Sequence, residues 1–235
     1  MAINQHISQK FEKQLEDIRS QVLAMGGLVE QQVTDAMTAL LTGDAELARK
    51  VMSGDDEVNR YDIKADEDCF NIIAMRQPTA SDLRLVTVVS KAISDLERIG
   101  DEAVRIARMA LNLSEKDRPK KNYRELKSLG KHVEEMLHNA LDAFVRQDVK
   151  MALEVAREDH SVDEEYESLL RQLMTYMMED PRKISRSIDM MWSARALERI
   201  GDHSRNIAEH TIYMVEGKDV RHLSVDRMEQ VVKGE

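Results

Sequence analysis

Apolar residues recur along this chain at the three- and four-residue spacing of amphipathic helices, with polar residues between them. The clearest example lies at residues 85–110, where one apolar row follows the alternating spacing of coiled-coil packing. This row consists of Leu85, Val89, Ala92, Leu96, Ile99, Ala103, Ile106 and Ala110. A second row runs beside it, from Val86 to Leu111. Because a helix with two adjacent apolar rows packs against two partners, the pattern predicts a three-helix bundle.

Helix-breaking residues divide the chain into long segments. The interruptions lie at residues 42–44, 77–82, 147–148 and 179–181. A charged stretch at residues 114–122, which contains Pro119, is typical of a linker. Gly217 is expected to end the last long helix, and residues 218–235 to form a tail with at most one short helix. These boundaries predict six long helices.

The two halves of the chain repeat each other. The segment Leu96-Glu97-Arg98-Ile99-Gly100-Asp101 recurs unchanged at residues 197–202, an offset of 198−97 = 101. Upstream, Gly26, Val29, Glu30, Ala36, Asp44, Ala48, Val51 and Asp55 recur at an offset of 130−26 = 104. A gap of three residues therefore lies somewhere between Asp55 and Glu97. We predict an all-α fold of two tandem three-helix bundles, residues 1–115 and residues 116–235.

Composition and charge narrow the class of protein. Aromatic residues make up only 4% of the chain, with 9 Gly and 3 Pro, which argues against strand-rich folds. A formal net charge of −10 gives no general attraction to nucleic acids or anionic lipids. No apolar run approaches the ~20 residues of a membrane-spanning helix. The single cysteine, Cys69, fits a reducing compartment, so we expect a soluble cytoplasmic protein.

Carboxylates occupy positions where the apolar rows call for apolar residues. Glu97 interrupts the second row of the first half, and Glu198 does the same in the second half. Asp101 and Asp202 each follow four residues later, one turn along the same helix face. Two like charges at this spacing repel each other, and partial burial increases the cost unless a cation or an Arg compensates.

A further carboxylate pair precedes each of these. Asp62 and Asp66 are four residues apart, as are Asp163 and Glu167, and 163−62 = 101 matches the offset of the later pairs. The identity of Val58 with Val162 favours the offset of 104, which would place Asn59 opposite Asp163. The position of the gap decides between the two alignments.

These pairs suggest two metal sites. One would use Asp62, Asp66, Glu97 and Asp101, and its duplicate would use Asp163, Glu167, Glu198 and Asp202. Four carboxylates make an all-oxygen site for divalent or trivalent cations such as Mg, Mn, Fe or Zn. Alternatively the carboxylates are solvated, with Asp101 paired to Arg105 and Asp202 to Arg205. No Gly-rich phosphate loop, nucleophile elbow or Cys-x-x-Cys motif is present.

Three segments carry a resemblance to a known family. They are Met25-Gly26-Gly27-Leu28-Val29-Glu30, residues 76–84 (RQPTASDLR) and the two Leu-Glu-Arg-Ile-Gly-Asp segments. Together they resemble the PhoU family of bacterial phosphate-signalling proteins, over about residues 7–220. The resemblance implies two pseudo-symmetric three-helix bundles and multinuclear metal clusters on Glu/Asp-x-x-x-Asp motifs. Asp163 with Glu167 departs from that motif by ending in Glu.

The resemblance also implies a function. Members of the family are not enzymes; they restrain phosphate uptake and the phosphate regulon, linking an ABC phosphate importer to a membrane sensor histidine kinase. Many form homodimers. We therefore expect a non-enzymatic cytoplasmic regulator, recruited to the membrane only through partner proteins. Two alternatives are a metal-dependent enzyme that uses the carboxylate clusters and a purely structural helical scaffold without metal.

Overall fold

A computed structural model describes residues 2–114 and 123–233, with side chains from residue 9 onward. Across these two ranges the chain forms seven α-helices and no strands. The helices are α1 (Ala2–Thr42), α2 (Ala45–Arg76), α3 (Ala80–Ser114), α4 (Arg124–Arg146), α5 (Val149–Glu179), α6 (Ile184–Glu216) and α7 (Val225–Lys233). The all-α prediction with six long helices is confirmed. Residues 115–122, which hold most of the predicted linker and the boundary between the two units, lie outside the described residues.

The helices end at the interruptions predicted from the sequence, and polar residues there cap the helices that follow. Asp44 caps α2, its Oδ1 accepting hydrogen bonds from the backbone N–H groups of Glu46 and Leu47, each at 3.0 Å. Asp148 caps α5 in the same way. Gly217 ends α6 with a φ of 72°, a left-handed conformation that glycine adopts without strain. The tail beyond it contains one short helix, α7, as predicted.

The six long helices form two three-helix bundles. Helices α1, α2 and α3 pack together, as do α4, α5 and α6, and the bundles join through α3 with α6 and α1 with α4. Buried apolar side chains from all six helices belong to one continuous core. The two bundles therefore share a core instead of meeting at a solvated boundary.

The junction of α1 with α4 is pseudo-symmetric. A Cβ at Gly26 would lie 2.9 Å from Cδ2 of Leu141, and a Cβ at Gly130 would collide with the end of Met37. These two contacts are equivalent under the repeat, since 130−26 and 141−37 both equal 104. The end of a side chain from the opposite helix fills the space beside each glycine, which explains why both positions are glycine despite its low helix propensity.

The junction of α3 with α6 is polar at its centre and not symmetric. Asp95 of α3, 9% exposed, accepts hydrogen bonds from His203 at 2.8 Å, and from Asn206 and His210 at 3.1 Å. Burial alone would raise the pKa of Asp95, but these three hydrogen bonds lower it to about 2. The repeat places Ala196 at the equivalent position of α6 (95+101 = 196), so this network exists once.

We predict that Asp95→Ala destabilises the protein by about 3 kcal/mol, because it leaves the buried His210 and the half-buried His203 and Asn206 without their acceptor. Urea unfolding measures the change, and Asp56→Ala, at an exposed aspartate on α2, is the control, expected within about 0.5 kcal/mol of wild type. Since the folded-state pKa is depressed, this stabilisation is present above pH 3.8 and is lost as the pH falls through about 2. Equal stability of the two variants would show that the network does not hold the bundles together.

Candidate metal centres

The contacts of two equivalent glycines show how far along the chain the repeats align at an offset of 104. A Cβ at Gly100 would lie 3.3 Å from Cγ1 of Val58, and a Cβ at Gly201 would lie 3.3 Å from Cγ1 of Val162. Val58 and Val162 are therefore equivalent, and 162−58 = 104. The offset of 104 extends at least to this point of α2 and α5, beyond Asp55.

The helix lengths place the three extra residues at the connection between α2 and α3. From Val58 to the end of α2 there are 76−58 = 18 residues, against 179−162 = 17 from Val162 to the end of α5. From the helix end to the glycine there are 100−76 = 24 residues in the first half and 201−179 = 22 in the second. The differences of one and two account for the gap, away from the acidic residues.

This register corrects one prediction. Asp163 is the counterpart of Asn59, so the pair Asp163 with Glu167 is not the duplicate of Asp62 with Asp66. At an offset of 104, the residues equivalent to Asp62 and Asp66 are Tyr166 and Leu170, which carry no charge at neutral pH. The equality of spacing at offset 101 was coincidental, because the gap lies on the C-terminal side of these residues.

In the first bundle, four carboxylates from α2 and α3 interact electrostatically. They are Asp55, Asp62, Glu97 and Asp101, here called the first acidic cluster. Burial raises the pKa of Glu97, and the negative charges of Asp101, Asp62 and Asp55 raise it further. Arg98 partly offsets this repulsion, lying 3.3 Å from carboxylate oxygens of both Glu97 and Asp101.

In the second bundle, the second acidic cluster consists of Asp159, Asp163, Glu198 and Asp202, from α5 and α6. Burial, followed by the charge of Asp202, raises the pKa of Glu198 to about 7, although Arg195 binds its Oε1. Burial and the charges of Asp159 and Asp163 also raise the pKa of Asp202. Glu198 therefore resists ionisation up to about neutral pH.

The structure adds two residues that the sequence prediction left out. Asp55 and Asp159 lie within the clusters, and both belong to the set of identities at offset 104, which was the signal that could have revealed them. Asp66 lies at the exposed edge, where its Oδ1 accepts a hydrogen bond from Ser90 Oγ at 2.9 Å. Glu167 is exposed as well, 3.3 Å from Arg171.

The arginine pairing expected for simple solvated carboxylates is not observed. Arg105 lies 3.1 Å from Glu102 rather than beside Asp101. Arg205 lies 2.7 Å from Asp159 and 3.0 Å from Glu209 rather than beside Asp202. Asp101 pairs instead with Arg98, at 3.3 Å, so the arginine partners expected for the two aspartates are wrong although Asp101 does have one.

The donor atoms suit a cation, although the side chains are not arranged as ligands. Within residues 2–114 and 123–233, no three or more His, Cys, Asp or Glu side chains are placed as a ready-made metal site. Oε2 of Glu198 is nevertheless buried, with no hydrogen-bond partner among the described residues. A buried carboxylate oxygen without a partner is costly, and a bound cation is one group that would satisfy it. Carboxylate oxygens are the ligands that Mg²⁺, Mn²⁺ and Fe ions accept.

Fold and clusters together define a class of protein: a duplicated, all-helical molecule with an acidic helix–helix face in each half. The sequence model of the PhoU domain family matches residues 22–110 of this chain and again residues 126–211. The chain therefore belongs to the PhoU family, and the resemblance noted in its sequence is confirmed.

Close relatives cover nearly the whole chain. A protein of Pseudomonas aeruginosa named phosphate-specific transport system accessory protein PhoU homolog is 52% identical over 232 residues, 99% of this chain and 96% of that protein. The protein named phosphate-specific transport system accessory protein PhoU in Escherichia coli K12 is 50% identical over 233 residues, with the same shares covered.

Solved structures agree with the fold. The crystal structure of PhoU from Pseudomonas aeruginosa matches with a TM-score of 0.86 at 53% identity, covering 88% of this chain and 100% of that one. The phosphate transport system regulatory protein PhoU from Streptococcus pneumoniae matches with a TM-score of 0.83 at 29% identity, covering 89% and 99%.

The raised pKa of Glu198 predicts an unusual pH dependence for the metal-free protein. Because the folded state keeps a proton that the unfolded state releases, the free energy of unfolding should fall as the pH rises from 4.5 to about 7. Glu198→Gln should make this fall shallower and leave the protein at least as stable as wild type at neutral pH. Urea unfolding in chelator across this pH range measures both, with Glu164→Gln, at an exposed position of α5, as control. A profile unchanged by Glu198→Gln would contradict a buried Glu198 whose charge Arg195 offsets only in part.

Proposed function

We propose that this chain is a non-enzymatic accessory protein of phosphate-specific transport, which limits phosphate uptake and represses phosphate-responsive genes when phosphate is plentiful. The observation that carries the proposal is the identity of 50–52% with the two accessory proteins over 99% of this chain. Both domain matches and both structural matches support it. The protein would act in the cytoplasm and reach the membrane through its partners.

The partners that we propose are the cytoplasmic components of an ABC phosphate importer and a membrane sensor histidine kinase, with a second copy of this chain in a homodimer. None of the described helices has the run of apolar sequence that a bilayer crossing requires. Large apolar side chains are nevertheless exposed near the connection of α2 with α3 and near that of α5 with α6. They are Phe70 and Met75 on α2, Met178 on α5 and Trp192 on α6. Exposed apolar side chains of this size are typical of surfaces that contact other proteins.

We also propose that the acidic clusters bind divalent or trivalent metal ions, with Fe, Zn, Mn and Mg as candidates. The first acidic cluster and its neighbour Asp66 would hold one group of ions, and the second acidic cluster with Glu167 the other. A bound cation would offset the burial and mutual repulsion that raise the carboxyl pKa values, and so would stabilise the fold by mass action. The ions would thus have a structural role, in keeping the two helix faces together.

Complementation of a strain that lacks the related Escherichia coli protein should test the proposed function directly. We predict that a plasmid encoding this chain restores repression of alkaline phosphatase in high phosphate when the gene for the 50% identical Escherichia coli protein is deleted. The measurement is alkaline phosphatase activity at high and low phosphate, with the empty plasmid as the unrepressed control. Full enzyme expression in high phosphate, despite normal levels of this protein, would reject the regulatory role.

Removing two carboxylates should separate metal binding from folding. We predict that Glu97→Gln with Asp101→Asn lowers the bound metal, while the metal-free protein stays equally stable or gains stability because repulsion is removed. Elemental analysis and thermal melts with and without chelator provide the measurements. Glu12→Gln with Glu16→Gln, an exposed pair four residues apart on α1, is the matched control. Unchanged metal content in the first variant would mean that these carboxylates are only a solvated face.

If the acidic clusters instead formed the active site of a metal-dependent enzyme, the protein would show turnover. Metal-activated water would hydrolyse a phosphoester, and Glu97→Gln would abolish that turnover. We expect metal-loaded protein to show no turnover that depends on Glu97. Such turnover, measured on purified protein with a chromogenic phosphoester, would overturn the non-enzymatic assignment and leave the family membership intact.

A further inference from the structure

Gln32 of α1 is a buried polar side chain that the fold alone does not explain. The residue is 9% exposed, and its Oε1 is fully buried without a hydrogen-bond partner in the described part of the chain. An amide oxygen left in this state costs free energy, which an apolar side chain of the same size would avoid. The fold therefore leaves this oxygen available to a ligand.

The buried oxygen points at the first acidic cluster. A Cβ at Gly100 would lie 3.3 Å from Oε1 of Gln32 and 3.7 Å from Oδ1 of Asp55. Gly100 itself stands between Glu97 and Asp101 on α3. The absence of a side chain at Gly100 thus leaves room in which an amide oxygen and a carboxylate oxygen approach the same point.

The other end of the amide faces a different environment. Nε2 of Gln32 would lie 3.6 Å from a Cβ at Gly54 of α2. Both residues line a cleft of about 140 Å³ between α1 and α2. The donor group of the amide is thereby turned towards a cleft that can admit water, while the acceptor is turned towards the carboxylates.

An oxygen that carries partial negative charge gains nothing from facing a carboxylate, unless a cation lies between them. We propose that Oε1 of Gln32 is an additional ligand for the cation at the first acidic cluster. This inference rests on the proposal that the cluster binds metal. Amide and carboxylate oxygens together form the donor set that hard cations such as Mn²⁺ and Mg²⁺ accept.

The second half of the chain places a different atom at this position. The counterpart of Gln32 is Met136 (32+104 = 136), whose Sδ would lie 3.8 Å from a Cβ at Gly201. A thioether is a soft donor that hard cations do not favour. The two acidic clusters are therefore unequal: Gln32 supplies the first with a neutral oxygen ligand, and Met136 offers the second none.

The test uses Mn²⁺ as the probe in the full-length chain. The parent carries Glu198→Gln and Asp202→Asn, so that binding reports on the first acidic cluster. Free Mn²⁺ is measured by electron paramagnetic resonance during titration. Into this parent we introduce Gln32→Met, which copies the residue of the second repeat at similar volume. Gln31→Met is the matched control, because Gln31 is exposed and hydrogen-bonds to Asp35 at 2.8 Å instead.

Loss of one ligand oxygen should weaken Mn²⁺ binding by roughly 10- to 100-fold in Gln32→Met, with no change in Gln31→Met. Gln32→Glu, which retains an oxygen at this position, should bind Mn²⁺ at least as tightly as the parent. Thermal melts in chelator verify that each variant is folded. Equal affinity of the parent and Gln32→Met would overturn the role of Gln32 while leaving the metal proposal standing. A parent that binds no Mn²⁺ would overturn both.

Discussion

Crowding of carboxylates beside an apolar core is the constraint on which the rest of this structure depends. In each bundle two helices approach closely at a glycine, Gly100 or Gly201, with a valine methyl group 3.3 Å from where a side chain would begin. Acidic residues surround each crossing, and burial together with their mutual repulsion raises the pKa values of Glu97 and Glu198. Arginines offset only part of this charge. If cations bind there, as we propose, the clusters would gain stability from them, and folding would be linked to ligand binding.

Duplication explains why the molecule has two such clusters, but the join between the bundles is specialised. The contacts between α1 and α4 obey the repeat, since the Gly26 and Gly130 crossings are equivalent. The contacts between α3 and α6 do not, because Asp95 accepts three hydrogen bonds and its counterpart is Ala196. A buried polar network of this kind favours one arrangement of the two bundles over a sliding apolar interface. The sequences of the two halves therefore differ at the α3–α6 interface that joins the bundles.

Much of the fold could be predicted from the sequence, because spacing and capping are local signals. The apolar rows, the interruptions at residues 42–44 and 147–148 and the terminal Gly217 correctly predicted the long helices. The acidic clusters were predicted only in part. A gap of three residues cannot be placed without knowing which side chains touch across a helix pair, and the contact of Val58 with Gly100 supplied that knowledge. The network of the α3–α6 junction joins residues more than a hundred positions apart, so no local pattern announces it.

We propose that each acidic cluster is a cation site whose charges are compensated by metal. Crystals of the full chain grown with Mn²⁺, with diffraction recorded on both sides of the manganese absorption edge, test it most directly. We expect anomalous difference peaks at both clusters, in contact with Glu97 and Asp101 in the first bundle and with Glu198 and Asp202 in the second. In the first bundle the peak should also contact the amide oxygen of Gln32. Well-ordered carboxylates bonded only to arginine and water, with no anomalous peak at either cluster, would contradict it.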